Sequence, residues 1–409
     1  MDFLRIQLKQ EETMQVTKIL HQLLSSTIHK TRIKSLTPVI TAIILYKQLR
    51  LTQLGRNLDT PGQERSAIRR VDRLLANLFY QQHAIAFYSA ITSMAVGNQG
   101  RPIILVDWTG IPNSRQVAKD GEHSALRASL IAEGRSITLY EEVHSKKKEN
   151  NDAVHKAFLK TLKSILPKAC RPYIVSDAGF KNPWFRAVLN LGWDYIGRVR
   201  GTVHYDDNSG FKSIKKLFDI ATQTPTSCGE FKLSKRKPLK THFYLYKHKV
   251  IGRHKLTKGK KRDRHKDSEN HARSYREPWI LVSSLKGFSA AKKVINIYKF
   301  RMTIEGSFRD QKSTQFGFSM NENVTLIAKR YTTWLLIASL ASFIAWVAGY
   351  AAEQKKLHYH FQANTYRHRR VLSFFYLGCQ IIRKKIDIDI QLHEIRQLAW
   401  DDLSWSILC

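Results

Sequence analysis

The sequence has few acidic residues and few cysteines. Its 409 residues include 33 Asp and Glu against 68 Lys and Arg, which gives a formal net charge of +35 at pH 7. A chain with this excess repels itself unless a polyanion neutralises it, so nucleic acid is the favoured partner and a merely basic cytoplasmic protein is the alternative. The four cysteines are widely spaced without a Cys-x-x-Cys pattern. They are predicted to be reduced and unligated, as in a cytosolic protein.

Targeting and membrane signals are equally scarce. The first residues, MDFLRIQLKQEE, are too charged for a signal peptide. Residues 331–352 carry no charge and are long enough to span a bilayer. Because this run contains hydroxyl side chains and the rest of the chain is strongly polar, we predict a buried core helix. No membrane association is expected, and the predicted location is the cytoplasm of a bacterium, at the nucleoid.

The first 98 residues read as helices, because apolar residues recur at helical spacing over 11–28, 35–46, 51–58 and 63–78. The stretch LTQLGRNLDTPGQERSAIRRVDRLLAN places a Thr-Pro-Gly turn between two of them. This pattern resembles a helix-turn-helix whose basic second helix enters a major groove. The alternative is a helical hairpin with a solvated basic face. The candidate DNA-binding residues on the second helix are Arg65, Arg69, Arg70 and Arg73.

Two short apolar runs end in aspartate. RPIILVDWTG leads to Asp107, and RPYIVSDAGF leads to Asp177. Runs of this kind are typical of buried central strands, and an α/β sheet presents its ligands at the carboxyl ends of such strands. Each Asp alone also fits a turn residue or a helix N-cap.

A third acid lies in AAKKVINIYKFRMTIEGSFRDQK, which is predicted to form one helix from near residue 290. At about 100° per residue, four polar residues fall on one stripe of that helix beside apolar ones. These residues are Tyr298, Arg301, Glu305 and Lys312. An exposed Arg–Glu pair at i,i+4 is the simpler alternative. Together with the two strand-end acids, Glu305 would complete a carboxylate set able to hold two hard divalent cations for attack at a phosphodiester.

The order of elements predicts the fold class. From residue 99 the chain reads strand, hairpin, helix, strand, helix, strand, with the hairpin turn at Glu133-Gly134 and the first helix over 152–166, ended by Pro167. This is the order of a ribonuclease H-like α/β core, a mixed sheet flanked by helices. Between residues 201 and 276 we predict a β-rich insertion, in which residues 247–276 carry twelve Lys or Arg. The predicted domains are a helical DNA-binding domain (1–98), a catalytic domain (99–345) interrupted by that insertion, and a C-terminal helical region (346–409) with a basic patch at 367–370.

These motifs together resemble the DDE transposases of insertion-sequence family four, which carry a Tyr-Arg-Glu-Lys signature. The likeness covers nearly the whole chain and includes PIILVDW, LRASL, IVSDAGFK and HFQANT. The spacing of three, four and seven residues from Tyr298 to Lys312 matches the signature without gaps.

The resemblance implies cut-and-paste transposition by two-metal phosphoryl transfer: nicking, hairpin formation, hairpin opening and strand transfer. Asp107, Asp177 and Glu305 would be the catalytic residues and would hold Mg²⁺, with Mn²⁺ as a substitute. Tyr298, Arg301 and Lys312 would hold phosphates next to the scissile bond. The implied partners are double-stranded DNA (transposon ends and target) and a second copy of the chain in a synaptic complex, with no small-molecule substrate.

Two aromatic residues, Trp108 and Trp184, are candidates to stack on a base pulled out of the duplex, and the sequence does not choose between them. Two other functions also fit the sequence. A ribonuclease H-like nuclease without strand transfer would need neither the helix-turn-helix nor the basic insertion. A non-catalytic DNA-binding relative would be expected to lose one of the three acids, and none is missing.

Overall fold

The computed structural model describes residues 15–111, 121–249, 268–269, 277–287, 289–323 and 328–395. The chain forms two compact units. The first unit combines Met1–Cys170 with Met302–Cys409, and the second is Arg171–Arg301. Each unit contains helices and part of a β-sheet, so the predicted mixed α/β class is confirmed. Most of the predicted basic run at 247–276, the N-terminal residues 1–14 and Cys409 lie outside the described residues.

The amino-terminal part of the first unit is helical, as predicted. The apolar spacing of the sequence gives each helix one buried face, and α2, for example, buries Ile33, Leu36 and Ile40. The helices are α1 (15–24), α2 (Lys30–Tyr46), α3 (Leu51–Arg56), α4 (Glu64–Ala76), α5 (Leu78–Gln82) and α6 (Ala84–Val96).

Three antiparallel strands follow in the first unit: β1 (Ile103–Gly110), β2 (His123–Ala132) and β3 (Arg135–Ser145), with β2 in the centre. The predicted hairpin around Gly134 is confirmed. Its turn needs a left-handed backbone, and Gly134 supplies it with φ +70°. Helix α7 (Asp152–Ile165) begins at the Asn151 cap and ends before Pro167, as predicted.

The second unit carries the other strands: β4 (Tyr173–Ser176), β5 (Asp194–Val199), β6 (His204–Asp206), β7 (Phe211–Ser213), β8 (Thr226–Leu233), β9 (Leu239–Tyr246) and β10 (Trp279–Ser283). Their order is β4-β5-β10-β9-β8-β6-β7. The β4–β5 pair is parallel, and helix α8 (Asn182–Asn190) connects those two strands. The region 201–276 contributes β6 to β9, and because β9 pairs with β10, these strands extend the sheet of this unit.

The predicted single helix over 290–312 is wrong. Helix α9 (Ala290–Lys299) ends in the second unit, and α10 (Met302–Lys312) begins the first unit again. The amides of Phe300 and Arg301 bond to carbonyls three residues earlier, which tightens the last turn of α9 and breaks the helix there. The four signature residues therefore do not share one helical stripe.

The uncharged run forms most of α11 (Ala328–Gln354), and 89% of its most apolar window is buried inside the protein. This burial confirms the predicted core helix. Helix α12 (Phe374–Arg383) packs against it at glycines: a Cβ added at Gly378 would lie 1.8 Å from the carbonyl oxygen of Ala345. Since α11 continues unbroken through residues 345 and 346, it crosses the predicted boundary of the C-terminal region.

Candidate active site

Asp107 lies on β1 in the first unit, at the fifth of eight strand positions. It was expected at the carboxyl end of the strand, but pairing with β2 continues through Gly110. Its register partner on β2 is Arg127. The carboxylate is half-buried, and its Oδ1 accepts a hydrogen bond of 2.9 Å from the amide of Trp108.

Helix α10 brings Lys312 to the strand that carries Asp107. The Lys312 Nζ donates to the Thr109 hydroxyl and to the Gly110 carbonyl, both at 2.6 Å. Burial and, to a smaller extent, the positive charge of Arg127 lower the pKa of Lys312 to about 8. The negative charge of Asp107 partly offsets this by raising the pKa. Thus Asp107, a predicted metal ligand, and Lys312, a predicted phosphate ligand, lie within electrostatic range of each other although they are far apart in sequence. Glu305, in the first turn of α10, is half-buried.

Polar contacts fix α10 against the strands of the first unit. Asp310 receives a hydrogen bond of 2.5 Å from the Arg135 side chain, and burial raises the pKa of this aspartate against the pull of that arginine. The Ser307 hydroxyl contacts the backbone of Ser136 at 2.9 and 3.0 Å. These contacts fix the orientation of α10 about its own axis. In that orientation Lys312 contacts β1.

A buried ion pair lies beneath this helix. Arg127 and Glu141, each with a side chain only 1% exposed, pair at 2.6 Å across β2 and β3. Arg127 also donates to Gln311, the neighbour of Lys312, at 2.5 Å. Sequence reasoning did not single out this pair. The signal was an arginine in the middle of the mostly apolar run ALRASLIA, because a buried charge needs a partner.

Asp177 belongs to the second unit, where it directly follows β4, as predicted. It is half-buried, and its Oδ1 accepts a hydrogen bond of 2.8 Å from the amide of Gly179. A helix follows from Asn182, with Pro183 in its first turn. The local order of strand, Asp, turn and helix was therefore predicted correctly from sequence.

Tyr298 and Arg301 also belong to the second unit, in one cluster with residues that sequence reasoning missed. Tyr298 is 3% exposed, and its ring meets the edge of Trp279 at a centroid distance of 5.0 Å. Burial lowers the pKa of the Arg198 guanidinium on β5, and Tyr298 raises it. Arg301 lies in Coulombic range of Arg198, and Arg200 pairs with Glu277 at 2.7 Å.

The two tryptophans proposed for base stacking have different environments. Trp184 is 1% exposed and packs on Phe180, so it is not accessible to a base. Trp108 is half-buried, and its indole donates to His155 at 3.2 Å. Trp279, which was not a candidate, is half-buried beside Tyr298.

The four arginines of α4 do not share one environment. Arg65, Arg69 and Arg73 are exposed along one face of the helix, whereas Arg70 is half-buried. Helix α4 packs on the shorter α3 at Gly55, where an added Cβ would lie 2.5 Å from the Cα of Ile68. This close approach requires glycine.

Among the residues that the structure describes, no three His, Cys, Asp or Glu side chains form a group able to hold a metal ion. The metal role of Asp107, Asp177 and Glu305 therefore stays a prediction. Their chemistry suits the predicted ion, because carboxylate oxygens are the ligands that hard divalent cations prefer. Backbone amides also orient the carboxylates of Asp107 and Asp177.

Comparison with known proteins defines the class. The family described as "Transposase DDE domain" matches residues 98–340, well over half of the chain, and the chain belongs to this family. The protein is thus a DNA transposase by class, a DNA-cleaving enzyme, and enzymes of this family use divalent metal ions. A comparison with curated proteins found no match.

One solved structure is similar to the chain over most of its length. It is a piggyBac transposase synaptic complex with hairpin DNA, determined by cryo-EM. The sequence identity is 11%, the match covers 97% of this chain and 82% of that one, and the TM-score is 0.44. At that score the likeness supports no inference about this chain.

Proposed function

We propose that this protein excises and inserts a bacterial insertion sequence by cut-and-paste transposition. The proposed subgroup is insertion-sequence family four, and the protein most resembles the transposase of insertion sequence ten. The proposed catalytic core is ribonuclease H-like. The reaction sequence is nicking at the terminal inverted repeats, hairpin formation, hairpin opening and strand transfer into target DNA.

The contact of Lys312 with the end of β1 carries this proposal. Its Nζ bonds to Thr109 and Gly110, two and three residues beyond Asp107. In a protein of the DDE family, this arrangement supports the assignment of Asp107 and Lys312 to one phosphodiester site. A lysine ammonium there can hold a phosphate oxygen, and the nearby acid can hold a cation on the same phosphate.

Asp107, Asp177 and Glu305 would hold Mg²⁺, or Mn²⁺ in its place. When bound, such an ion supplies charge to the scissile phosphate and lowers the pKa of the attacking hydroxyl or water. The residues of the chain contribute orientation. The Trp108 and Gly179 amides fix the carboxylates of Asp107 and Asp177, at 2.9 and 2.8 Å respectively.

Tyr298, Arg301 and Lys312 would bind phosphates beside the scissile bond. Because Tyr298 is buried, its main role in this proposal is to support Trp279 and the charged cluster around Arg198 and Arg301. Trp184 is inaccessible, so Trp108 stays the proposed aromatic for stacking on an extruded base, and the half-buried Trp279 is a second candidate.

Double-stranded DNA, as transposon ends and target, is the proposed partner, and the net charge of +35 supports it. The exposed arginines of α4 would contact the DNA. Synapsis of two ends implies a homodimer on DNA. The proposed location is the bacterial cytoplasm, at the nucleoid.

A cleavage assay tests this function. The substrate is a labelled duplex with the terminal repeat that flanks the gene, and reactions contain Mg²⁺, Ca²⁺ or EDTA. We expect Mg²⁺-dependent nicking followed by a hairpin product for the wild type. We expect no cleavage for Glu305→Ala and normal cleavage for Asp219→Ala, an exposed acid in the second unit.

Three outcomes of that assay contradict parts of the proposal. Cleavage without hairpin or strand joining would identify a plain nuclease. Binding without cleavage in any metal would identify a non-catalytic DNA-binding relative. Full activity of Glu305→Ala would overturn the assignment of the metal ligands.

A further inference from the structure

The amino-terminal helices of the first unit enclose a cleft of about 920 Å³. Its walls come from α1, α2, the last residue of α3, the turn after it and one residue of α4. None of the residues predicted to act in catalysis lines it.

Positive charge dominates the lining. Lys30, Lys34, Arg56 and Arg70 face the cleft, against one acid, Asp59. Arg56 also pairs with Glu64 at 2.7 Å, where both side chains are about half exposed, so that pair is weak. The lining therefore favours an anion. Its cations come from three helices, α2, α3 and α4, so an extended anion could contact all of them.

Two threonines of α2 line the cleft one helical turn apart, and they differ in hydrogen bonding. Thr37, 4% exposed, donates to the carbonyl of Ile33 at 2.9 Å. Thr41 is 6% exposed, and within the described part of the chain its hydroxyl has no hydrogen-bond partner. A buried hydroxyl without a partner is destabilising. A phosphate oxygen in the cleft would supply that partner after a rotation of the Thr41 side chain.

The cleft also explains why the arginines of α4 divide into two sets. Arg65, Arg69 and Arg73 are exposed, where they can meet a groove of DNA, whereas Arg70 is half-buried and lines the cleft. In helix-turn-helix proteins, the recognition helix lies in the major groove while the preceding elements meet the phosphate backbone beside it. The cleft lies next to α4, because Arg70 is part of its lining.

We propose that this cleft binds the sugar–phosphate backbone of DNA, with Lys30, Lys34 and Arg70 on phosphates and Thr41 as a hydroxyl donor. The proposal rests on the proposed function in one respect, namely that the partner is DNA. It adds a binding site separate from the predicted catalytic residues. Since contacts to the backbone are independent of sequence, any duplex can be used to test it.

The test measures binding of a short fluorescein-labelled duplex of arbitrary sequence by anisotropy, from roughly 50 to 200 mM salt. For Lys30→Gln with Lys34→Gln, two cleft lysines outside α4, we expect weaker binding and a smaller slope of log K against log salt. The slope should fall by about 0.9 for each phosphate that the variant no longer neutralises. Lys18→Gln is the matched control, because Lys18 is exposed on α1 and does not line the cleft.

The threonine pair gives a second measurement in which charge is constant. Thr41→Val should weaken DNA binding roughly tenfold, because one hydrogen bond to a charged group contributes about 1.5 kcal/mol or more. Its melting temperature should be equal to or above that of the wild type, since the substitution removes no hydrogen bond within the described part of the protein. Thr37→Val should leave DNA affinity within about twofold of wild type, because its hydroxyl already bonds to Ile33.

The outcomes separate this proposal from the proposed function. Wild-type affinity and slope in both cleft variants, with cleavage intact, would overturn the cleft alone. Weakened binding in the cleft variants, with no cleavage in any metal, would support the cleft and overturn the catalytic proposal. A wild-type protein that binds no duplex would overturn both.

Discussion

Replacing only one partner of the buried Arg127–Glu141 ion pair should lower the stability of the first unit far more than replacing both partners. Glu141 receives two hydrogen bonds from Arg127, at 2.6 and 2.8 Å, and a third of 2.6 Å from Ser339 on α11. Tyr88 on α6 adds a fourth at 3.1 Å. Burial and Glu141 raise the pKa of Tyr88 well above its usual range, so Tyr88 remains a donor. One carboxylate thus joins β2, β3, α6 and α11.

The magnitude follows from the burial of the pair. In Glu141→Leu, the Arg127 guanidinium is left about 99% buried without its counter-charge, which costs about 3–5 kcal/mol. In a unit of this size we expect a fall in melting temperature of roughly 5–10 °C. Replacing both residues, as Arg127→Met with Glu141→Leu, removes the desolvation cost of both charges. Such exchanges are often neutral or stabilising by about 1–4 kcal/mol.

Differential scanning calorimetry of the wild type, both single variants and the double variant completes a double-mutant cycle. We expect the double variant to melt above Glu141→Leu. The result that refutes this reasoning is a double variant that melts below the wild type by the sum of the losses of the two single variants. Such additivity would mean that the two charges do not depend on each other.

Three further predictions concern other parts of the chain. Gly378→Ala should lower the melting temperature by roughly 2–6 °C, because its Cβ would lie 1.8 Å from a backbone oxygen and overpacking costs about 1–3 kcal/mol. Lys312→Ala should weaken binding to the terminal repeat and reduce the salt slope by about 0.9, because one phosphate is no longer neutralised. Cys228, which is half-buried, should react with iodoacetamide at pH 8 well before Cys379, because burial raises the Cys379 thiol pKa to about 12. Peptide mass mapping distinguishes the two thiols.

Each of these predictions has a control and a contrary result. Gly100→Ala should melt like the wild type, because an added Cβ meets no atom within 4 Å, and equal destabilisation at both glycines would contradict the packing argument. Lys156→Ala, an exposed lysine on α7, should leave the salt slope nearly unchanged. An unchanged slope for Lys312→Ala would remove its phosphate role. Equal alkylation rates for the two cysteines would mean that α12 opens at equilibrium.

The sequence alone determined the features that depend on neighbouring residues. The apolar runs before Asp107 and Asp177 predicted strands, Gly134 predicted the hairpin turn, and the spacing of apolar residues predicted the amino-terminal helices. These features follow from side-chain periodicity and backbone preference over a few residues, which is why one sequence was sufficient. The family resemblance depended on such local motifs, and the family match confirms its coarser part, a DDE transposase.

Only the tertiary structure decided where strands end and which distant residues meet. The strand of Asp107 continues to Gly110 because β2 offers hydrogen-bond partners there. Strand β2 comes later in the sequence, so the residues next to Asp107 do not reveal this pairing. The helix break at Phe300 and Arg301 separates two compact units, which overrides a helical pattern that is continuous in the sequence. Likewise, the pairing of Arg127 with Glu141 depends on strand register. Long-range pairing and packing fix these features, and local sequence preference is too weak to determine them.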